Sequence, residues 1–398
     1  MGVTLKDAPL VEKMDKCFAE QIGYTTIIVL LAFSAKVHAS ALLMSDISLS
    51  LNSQILEDSN IYRDQTNTSD RIRQYGGALS LSISPGRQRI EVGYDGEKNM
   101  YETTLIENYE NHSVKANLEV NIGDAFSFEG RTAYTSSHDE RGTPGVPSLL
   151  PISTSLLNQS AKADAFLNLG SEQAMFRYVL ESNASAKRFA DSALVFLNSD
   201  SLNTKFSSLY KYSGKTRVAL DLHRNDVLNS SLSTHNIFYT VATGLEWKST
   251  GKIKNHLKIG LNMDPYTAAD VFRYTLFMDA DITWKRKSYS AFNFTINRRL
   301  LESTEAAYTQ MASTAVGVGI NHRLRRYLQF ETNFQATYNQ FSKTKGSLFF
   351  SGYLGINLSI LRRFSLSIGS NRSYMTATNG SPGYSQQAIL ARLSFVLF

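Results

Sequence analysis

The sequence predicts an all-β protein: a transmembrane antiparallel β-barrel of about 18 strands, with long external loops and short periplasmic turns. Two observations lead to this prediction. From Ile47 to Phe398, segments of roughly 8–13 residues alternate apolar and polar side chains, which is typical of strands with one apolar and one wet face. The connections between the segments are alternately short and long, as in barrels that stand in an outer membrane.

The two sets of connections determine the strand number. Short turns are predicted at 84–87, 122–124, 170–172, 213–215, 249–252, 285–288, 322–326 and 361–363. Long connections are predicted at 58–74, 99–110, 136–158, 183–204, 226–235, 264–271, 300–308, 339–346 and 371–384. Gly, Asp, Asn and Ser in several short turns supply the backbone angles of tight hairpins. About eight short turns imply about eighteen strands, an even number, as in bacterial single-chain barrels.

One parity of each strand is apolar. In the fourth strand Val114 and Leu118 alternate with Lys115 and Glu119, and the twelfth and fifteenth strands repeat the pattern. A soluble β-sandwich is the alternative, but it does not usually place every long connection at one end. Aromatic residues near both ends of the strands favour two membrane interfaces instead.

The last strand departs from this scheme. The terminal Phe398 resembles the signal by which outer-membrane barrels are recognised, which implies the barrel-assembly machinery as a partner. Arg392 and Ser394 share the parity of Phe398, whereas Ile389 and Leu393 belong to the better apolar face. We therefore expect either a bulge near the end of the strand or an inward-facing Phe398.

The N-terminus predicts export. Residues 25–33 form an apolar core of the length of a signal-peptide h-region, and Val37-His38-Ala39 fits the cleavage rule. Residues 1–39 are therefore predicted to be a signal peptide, with Met14 as an alternative start, and residues 40–398 a single outer-membrane domain. The alternative is a short buried helix. Cys17, the one cysteine, would leave with the leader, which excludes disulfides and cysteine metal sites.

Composition narrows the classes of function. The net charge of +6 is dispersed along the chain and does not form one stripe, so no nucleic-acid partner is expected. The histidines that remain after processing show neither metal-ligand spacing nor a pairing with a Ser and acid motif. We therefore expect no cofactor and no enzymatic activity.

Polar residues on the inward parity predict a wet lumen of mixed charge. They either pair across the wall and make it rigid, or they line a pore for a polar, weakly charged solute. Inward aromatic residues, among them Phe166 and Phe238, offer surfaces on which sugars could stack. The lumen-lining candidates are Lys115, Glu119, Glu129, Arg131, Arg177, Arg217, Lys258, Arg273, Phe277, Asp279, Asp281, Glu331, Phe349 and Tyr353.

The third and fourth external loops are candidates for a gate. The third is unusually apolar and stiff, and its constriction candidates are Pro144, Pro147, Leu149 and Pro151. The fourth, around 189–197, is expected to form a short helix or to prolong two strands above the membrane. The alternative is that both loops pack at the rim without narrowing the channel.

The segment Gln54 to Arg63, with its acidic D-x-N-I-Y-R opening of the first loop, resembles the β-barrel porins associated with exopolysaccharide biosynthesis and export. This resemblance implies an outer-membrane exit channel for an exopolysaccharide or capsular polysaccharide. It also implies a periplasmic polysaccharide export protein as a partner. Two alternatives stay open: a general or sugar-selective uptake porin, and a non-conducting barrel that adheres or scaffolds.

Overall fold

The computed structural model describes residues 45–141, 154–229, 234–250, 253–265, 274–287, 289–302, 310–341, 345–361, 363–376 and 383–397. These residues form one closed sheet of 18 antiparallel strands, in which each strand pairs with its sequence neighbours and β1 pairs with β18. The strands are β1 Ser45–Asp58, β2 Asp70–Ile83, β3 Gln88–Tyr101, β4 Tyr109–Ile122, β5 Phe126–His138, β6 Leu157–Leu169, β7 Phe176–Phe189, β8 Ser199–Lys211, β9 Thr216–Asn229, β10 Thr234–Thr250, β11 Ile253–Met263, β12 Tyr274–Lys287, β13 Ser290–Glu302, β14 Gln310–Arg325, β15 Leu328–Gln340, β16 Gly346–Ser359, β17 Phe364–Met375 and β18 Tyr384–Val396. The predicted fold class and strand number are confirmed. The predicted long connection at 226–235 is shorter than expected, because β9 continues to Asn229 and β10 begins at Thr234.

The described helices are two short 3-10 segments, Leu105–Glu107 between β3 and β4 and Ser192–Leu197 between β7 and β8. Within the described ranges, none of the helices has the length and hydropathy needed to cross a membrane. The fourth loop is shorter than predicted, because β7 continues to Phe189 and β8 begins at Ser199. It both prolongs two strands and contains a short helix. The predicted signal peptide lies outside the described residues.

The register assigns one apolar and one polar face to the wall. Residues directly opposite each other in an antiparallel pair share a face. Leu118 lies opposite Ile90 on β3 and Gly130 on β5, whereas Asn117 lies opposite Glu91 and Arg131. Exposed Val, Leu, Ile and aromatic side chains recur on the first of these faces around the barrel. That face is therefore the lipid-facing exterior, and the other lines the lumen.

Aromatic side chains form two girdles on the exterior. Tyr134, Tyr274 and Tyr338 are exposed toward the loop ends of their strands, and Trp284 is exposed near a short turn. This is the arrangement that two membrane–water interfaces favour.

The strands are longer than the membrane requires. Fourteen residues, as in β2, at about 3.4 Å each and a tilt of about 40° span roughly 36 Å, against an apolar band of about 25 Å. Outward charges occur mainly in the overhang at the loop end. There Arg71 pairs with Glu57 at 2.7 Å, and Lys98 pairs with Glu110 at 2.8 Å. The exterior therefore ends in a charged collar above the membrane.

The register resolves the parity of the last strand. Phe395 lies opposite Leu51, and Leu393 lies opposite Ser53, so these odd-numbered residues face lipid. Arg392 lies opposite Gln54 on the inner face. The pairing of β18 with both β17 and β1 is continuous through this region, so of the two alternatives the bulge is not observed among the described residues. Phe398 lies outside the described residues.

Candidate functional site: the lumen and its mouth

The sequence-predicted lumen residues share one property: each described one occupies an inward position of its strand. They are Lys115, Glu119, Glu129, Arg131, Arg177, Arg217, Lys258, Phe277, Asp279, Asp281, Glu331, Phe349 and Tyr353. Arg273 lies outside the described residues, as do Pro144, Pro147, Leu149 and Pro151. The role of the third loop as a constriction therefore stays a prediction.

Ion pairs along β3, β4 and β5 lie in an open part of the lumen. Lys115 Nζ is 2.6 Å from Asp95 Oδ2, and these inward side chains are 60% and 46% exposed. Arg131 Nε donates to Glu129 Oε1 at 2.6 Å. Since these groups point away from the lipid face, their exposure means that space accessible to solvent lies inside the barrel.

A second charged group on β9, β10 and β11 is buried. Lys258 Nζ lies 2.8 Å from Asp221 Oδ2 and 3.5 Å from Glu246 Oε1, and the side chains of Lys258 and Asp221 are only 9% and 7% exposed. Next to it, His256 Nε2 is 3.3 Å from Asp279 Oδ2. Lys258 is thus held by two carboxylates on neighbouring strands, which favours a structural role for this group.

The β13–β14 hairpin folds into the mouth. Its last pair with β12 is Met278–Arg298, although β13 continues to Glu302. Beyond that point Leu300 and Ala312 form a buried cluster with Phe238, which points inward from β10. Leu300 and Ala312 have the parity of lipid-facing residues, so they reach Phe238 only if the loop-side ends of β13 and β14 bend inward.

A polar contact at the same place supports this geometry. Gln310 Nε2, at the start of β14, donates a hydrogen bond to the carboxylate of Asp264, at the top of β11. Both side chains are buried. The described ends of β13 and β14 therefore cover the inner surface of β10 and β11, and they narrow the lumen on that side. Sequence reasoning missed this constriction, because Leu300 lies in the predicted long connection 300–308 and Ala312 continues the alternation of a wall strand.

The first loop, residues 59–69, closes against the opposite side of the mouth. Asp58 accepts hydrogen bonds from the Asn60 backbone N–H at 2.8 Å and from Gln386 Nε2 at 2.6 Å. Asn60 is fully buried, and its amide donates to the Asp64 and Ser385 carbonyls at 2.7 and 3.2 Å. These bonds attach the loop to β18.

Arg63 links the first loop to the third. Its Nε donates to Gln386 Oε1 at 2.9 Å, its Nη1 donates to the Arg141 carbonyl at 3.0 Å, and its Nη2 bonds to Glu140. The Arg141 guanidinium in turn lies 5.7 Å above the ring of Tyr62. Every polar residue of the D-x-N-I-Y-R segment thus takes part in attaching the loop, and this structural role accounts for the segment.

Glu107, in the 3-10 segment between β3 and β4, is a largely buried carboxyl group among the external loops. Its side chain is 11% exposed and lies 4.0 Å from His138 Nε2. Burial raises the pKa of Glu107 above its ordinary value, although the charge of Arg141 and a hydrogen bond with Tyr62 act in the opposite direction. The same burial raises the pKa of Tyr62. We therefore expect the packing of the first three loops to depend on pH.

The described residues contain no group of three His, Cys, Asp or Glu side chains arranged to hold a metal ion. What the arrangement offers is a polar path through an apolar membrane. Charged and amide side chains around a closed lumen replace part of the hydration that a polar solute loses on entry. The site is thus a channel surface that narrows where the first loop and the β13–β14 hairpin enter the mouth.

A closed barrel with an apolar exterior, two aromatic girdles and a polar interior defines a porin-like protein of the outer-membrane type. Residues 238–395, about two fifths of the chain, match the model of a family described as "Putative beta-barrel porin 2". The match begins in β10 and ends in β18. It does not include residues 54–63, which carry the exopolysaccharide resemblance.

Solved structures of other barrels are similar over most of the chain. OccK1 (OpdK) of Pseudomonas aeruginosa has 11% identity and a TM-score of 0.49, covering 88% of this chain and 99% of its own. OccAB3 of Acinetobacter baumannii has 8% identity and a TM-score of 0.48, with 89% and 99% covered. The siderophore receptor PiuA of A. baumannii has 10% identity and a TM-score of 0.47, with 88% and 82% covered. Similarity this distant carries no argument about function. Among curated proteins, none matches.

Proposed function

We propose that this protein is an outer-membrane diffusion channel for small polar solutes. The observation that carries the proposal is the exposure of inward charged groups such as Lys115 and Asp95 inside a closed barrel. Solvent reaches these side chains inside the barrel, and this exposure supports a hydrated path across the apolar band. Charges of both signs pair along β3 to β5, which favours neutral or weakly charged solutes over a single sign of ion.

The test is reconstitution of the folded, full-length protein. In planar bilayers we expect steady ion conductance, and in liposome-swelling assays we expect fluxes that fall with increasing solute size. A folded barrel that gives neither ion current nor solute flux contradicts the proposal and favours the adhesive or scaffolding barrel. Folding is checked independently by the heat-modified mobility of the protein on gels.

Export of an exopolysaccharide is the second candidate, and the resemblance at residues 54–63 is what favours it. In that hypothesis, a periplasmic polysaccharide export protein would deliver the polymer to the barrel. A deletion strain separates the two functions. Polymer retained in the periplasm of that strain supports export, whereas normal polymer release together with reduced small-solute uptake supports the diffusion channel.

A further inference from the structure

We infer that the inner face of β15–β18, here called the neutral wall, binds neutral oligosaccharides, with the ring of Tyr353 as a stacking platform. This inference rests on the proposed channel function and assigns a class of solute to it. It follows from how charge is distributed around the lumen and from the position of one tyrosine ring.

The neutral wall is almost without charge, unlike the wall opposite. Each strand from β3 to β9 carries at least two charged residues at inward positions. At the described inward positions of β16 and β17 there are none, and β15 and β18 contribute only Glu331 and Arg392. The inward polar groups of the neutral wall are amides and hydroxyls, among them Asn333, Gln335, Ser351, Asn357, Ser367 and Asn371.

The Tyr353 ring lies flat on this wall. A Cβ atom built on Gly355 would lie 2.2 Å from Tyr353 Oη, and one built on Gly369 would lie 2.8 Å from the same atom. Gly355 and Gly369 are direct neighbours across β16 and β17, and both are buried. The ring therefore covers two inward glycines and presents its other face to the lumen. Any larger side chain at either glycine would tilt the ring away from the wall.

This combination suits a neutral sugar. Amides and hydroxyls both donate and accept hydrogen bonds, as sugar hydroxyls require, and an aromatic face packs against the apolar C–H face of a sugar ring. Phe349 points inward four residues before Tyr353, roughly 13 Å along the strand, and extends the surface. Glu331, opposite Gly355, adds a carboxylate acceptor beside the platform.

The other inward aromatic residues lack this setting. The Arg131 guanidinium covers Phe166 at 5.0 Å from the ring centroid. Phe238 is 3% exposed beneath the β13–β14 hairpin. Phe277 is flanked along its strand by Asp279 and lies in the charged half of the lumen. Of the aromatic surfaces expected from the sequence, only those of the neutral wall combine an open ring with mainly neutral polar neighbours. Among the described residues, Glu331 is the one charged group beside Tyr353.

The test uses maltohexaose, cellohexaose and isomaltohexaose as probes. Binding is measured by calorimetry on the folded, detergent-solubilised full chain and, separately, by interruption of ion current in planar bilayers. At least one probe is expected to bind. Tyr353→Ala should weaken that binding about tenfold, the loss of one stacking contact. Gly369→Val keeps the tyrosine but tilts its ring, and should weaken binding to a similar extent.

Phe166→Ala is the matched control, an inward aromatic residue on the charged wall, and should leave the affinity within twofold. No binding of any probe, or equal binding by the Tyr353 and Phe166 variants, overturns the inference. The outcomes are separable from those of the proposed function. A channel that conducts ions but ignores all three probes refutes only the neutral wall. A non-conducting barrel whose binding depends on Tyr353 refutes only the diffusion channel.

Discussion

Removing Lys258 is the sharpest test of the buried ion group in the wall. Lys258→Met keeps most of the side-chain volume but leaves Asp221 and Glu246 facing each other without their shared cation. Both carboxylates lie within 3.5 Å of Nζ, and Asp221 is 7% exposed. Breaking one side of a buried pair typically costs about 3–5 kcal/mol, because the remaining charge stays desolvated. We therefore expect the free energy of unfolding to fall by about 3 kcal/mol.

The matched control is Lys115→Met. The Lys115–Asp95 pair has the shorter distance, 2.6 Å, but its side chains are 60% and 46% exposed. A solvated pair contributes about 0–1 kcal/mol, so this variant should lose less than about 1 kcal/mol. The assay is urea unfolding in lipid vesicles, followed by tryptophan fluorescence and heat-modified gel mobility. Equal losses in the two variants would refute the reasoning that burial, rather than distance, determines the cost. Adding Asp221→Asn to Lys258→Met should recover part of the loss.

Three further predictions test the exterior, the mouth and the loops. Leu118→Arg, on the lipid face, should cost roughly 2–4 kcal/mol and impair insertion, whereas Asn117→Arg, on the inner face, should assemble normally on heat-modifiability gels. Phe238→Ala removes the surface on which Leu300 packs, so the β13–β14 hairpin should spend more time away from β10. The single-channel current should therefore change. Current traces identical to those of the unmodified protein would contradict the role of the hairpin as a constriction. Because the pKa of Glu107 is raised, the folded loops bind its proton more tightly than the unfolded chain does. Loop packing should therefore be strongest at pH values below the ordinary carboxyl pKa, and it should weaken as the pH rises through the raised pKa. Protease protection of the first loop should follow this trend, and Glu107→Gln should reduce it. Burial also raises the pKa of Asp58, which anchors the same loop, so part of the trend should persist in that variant.

Much of the barrel could be predicted because the alternation of apolar and polar residues is a local feature of each strand. Period-two alternation assigns each residue of a wall strand to lipid or lumen, and a shift of one residue would move every charge of that strand into the membrane. The alternation therefore assigns Lys115 and Leu118 to opposite faces without any knowledge of their partners, and the register shows the same two faces. The same rule favoured Ile389 and Leu393 as the outer face of the last strand, which the pairing with β1 confirms.

The mouth could not be predicted in the same way. Leu300 lies in a predicted long connection, and Ala312 has the parity of a lipid-facing residue. Both lie where β13 has separated from β12, and their burial depends on Phe238 more than sixty residues earlier. Arg63 and Gln386 meet only because β1 and β18 close the barrel. No local pattern encodes a contact between the two ends of the chain.

The sequence by itself therefore determined the class of fold, the number of strands and the two faces of the wall. The sequence determines these features because lipid admits only an apolar surface on which every backbone group is paired. The tertiary structure alone decided which inward residues are buried, which are wet and which share a wall. Curvature brings distant strands together, so that Lys258 becomes a buried cation, Lys115 stays solvated, and Tyr353 lies across two glycines on the nearly uncharged side of the lumen.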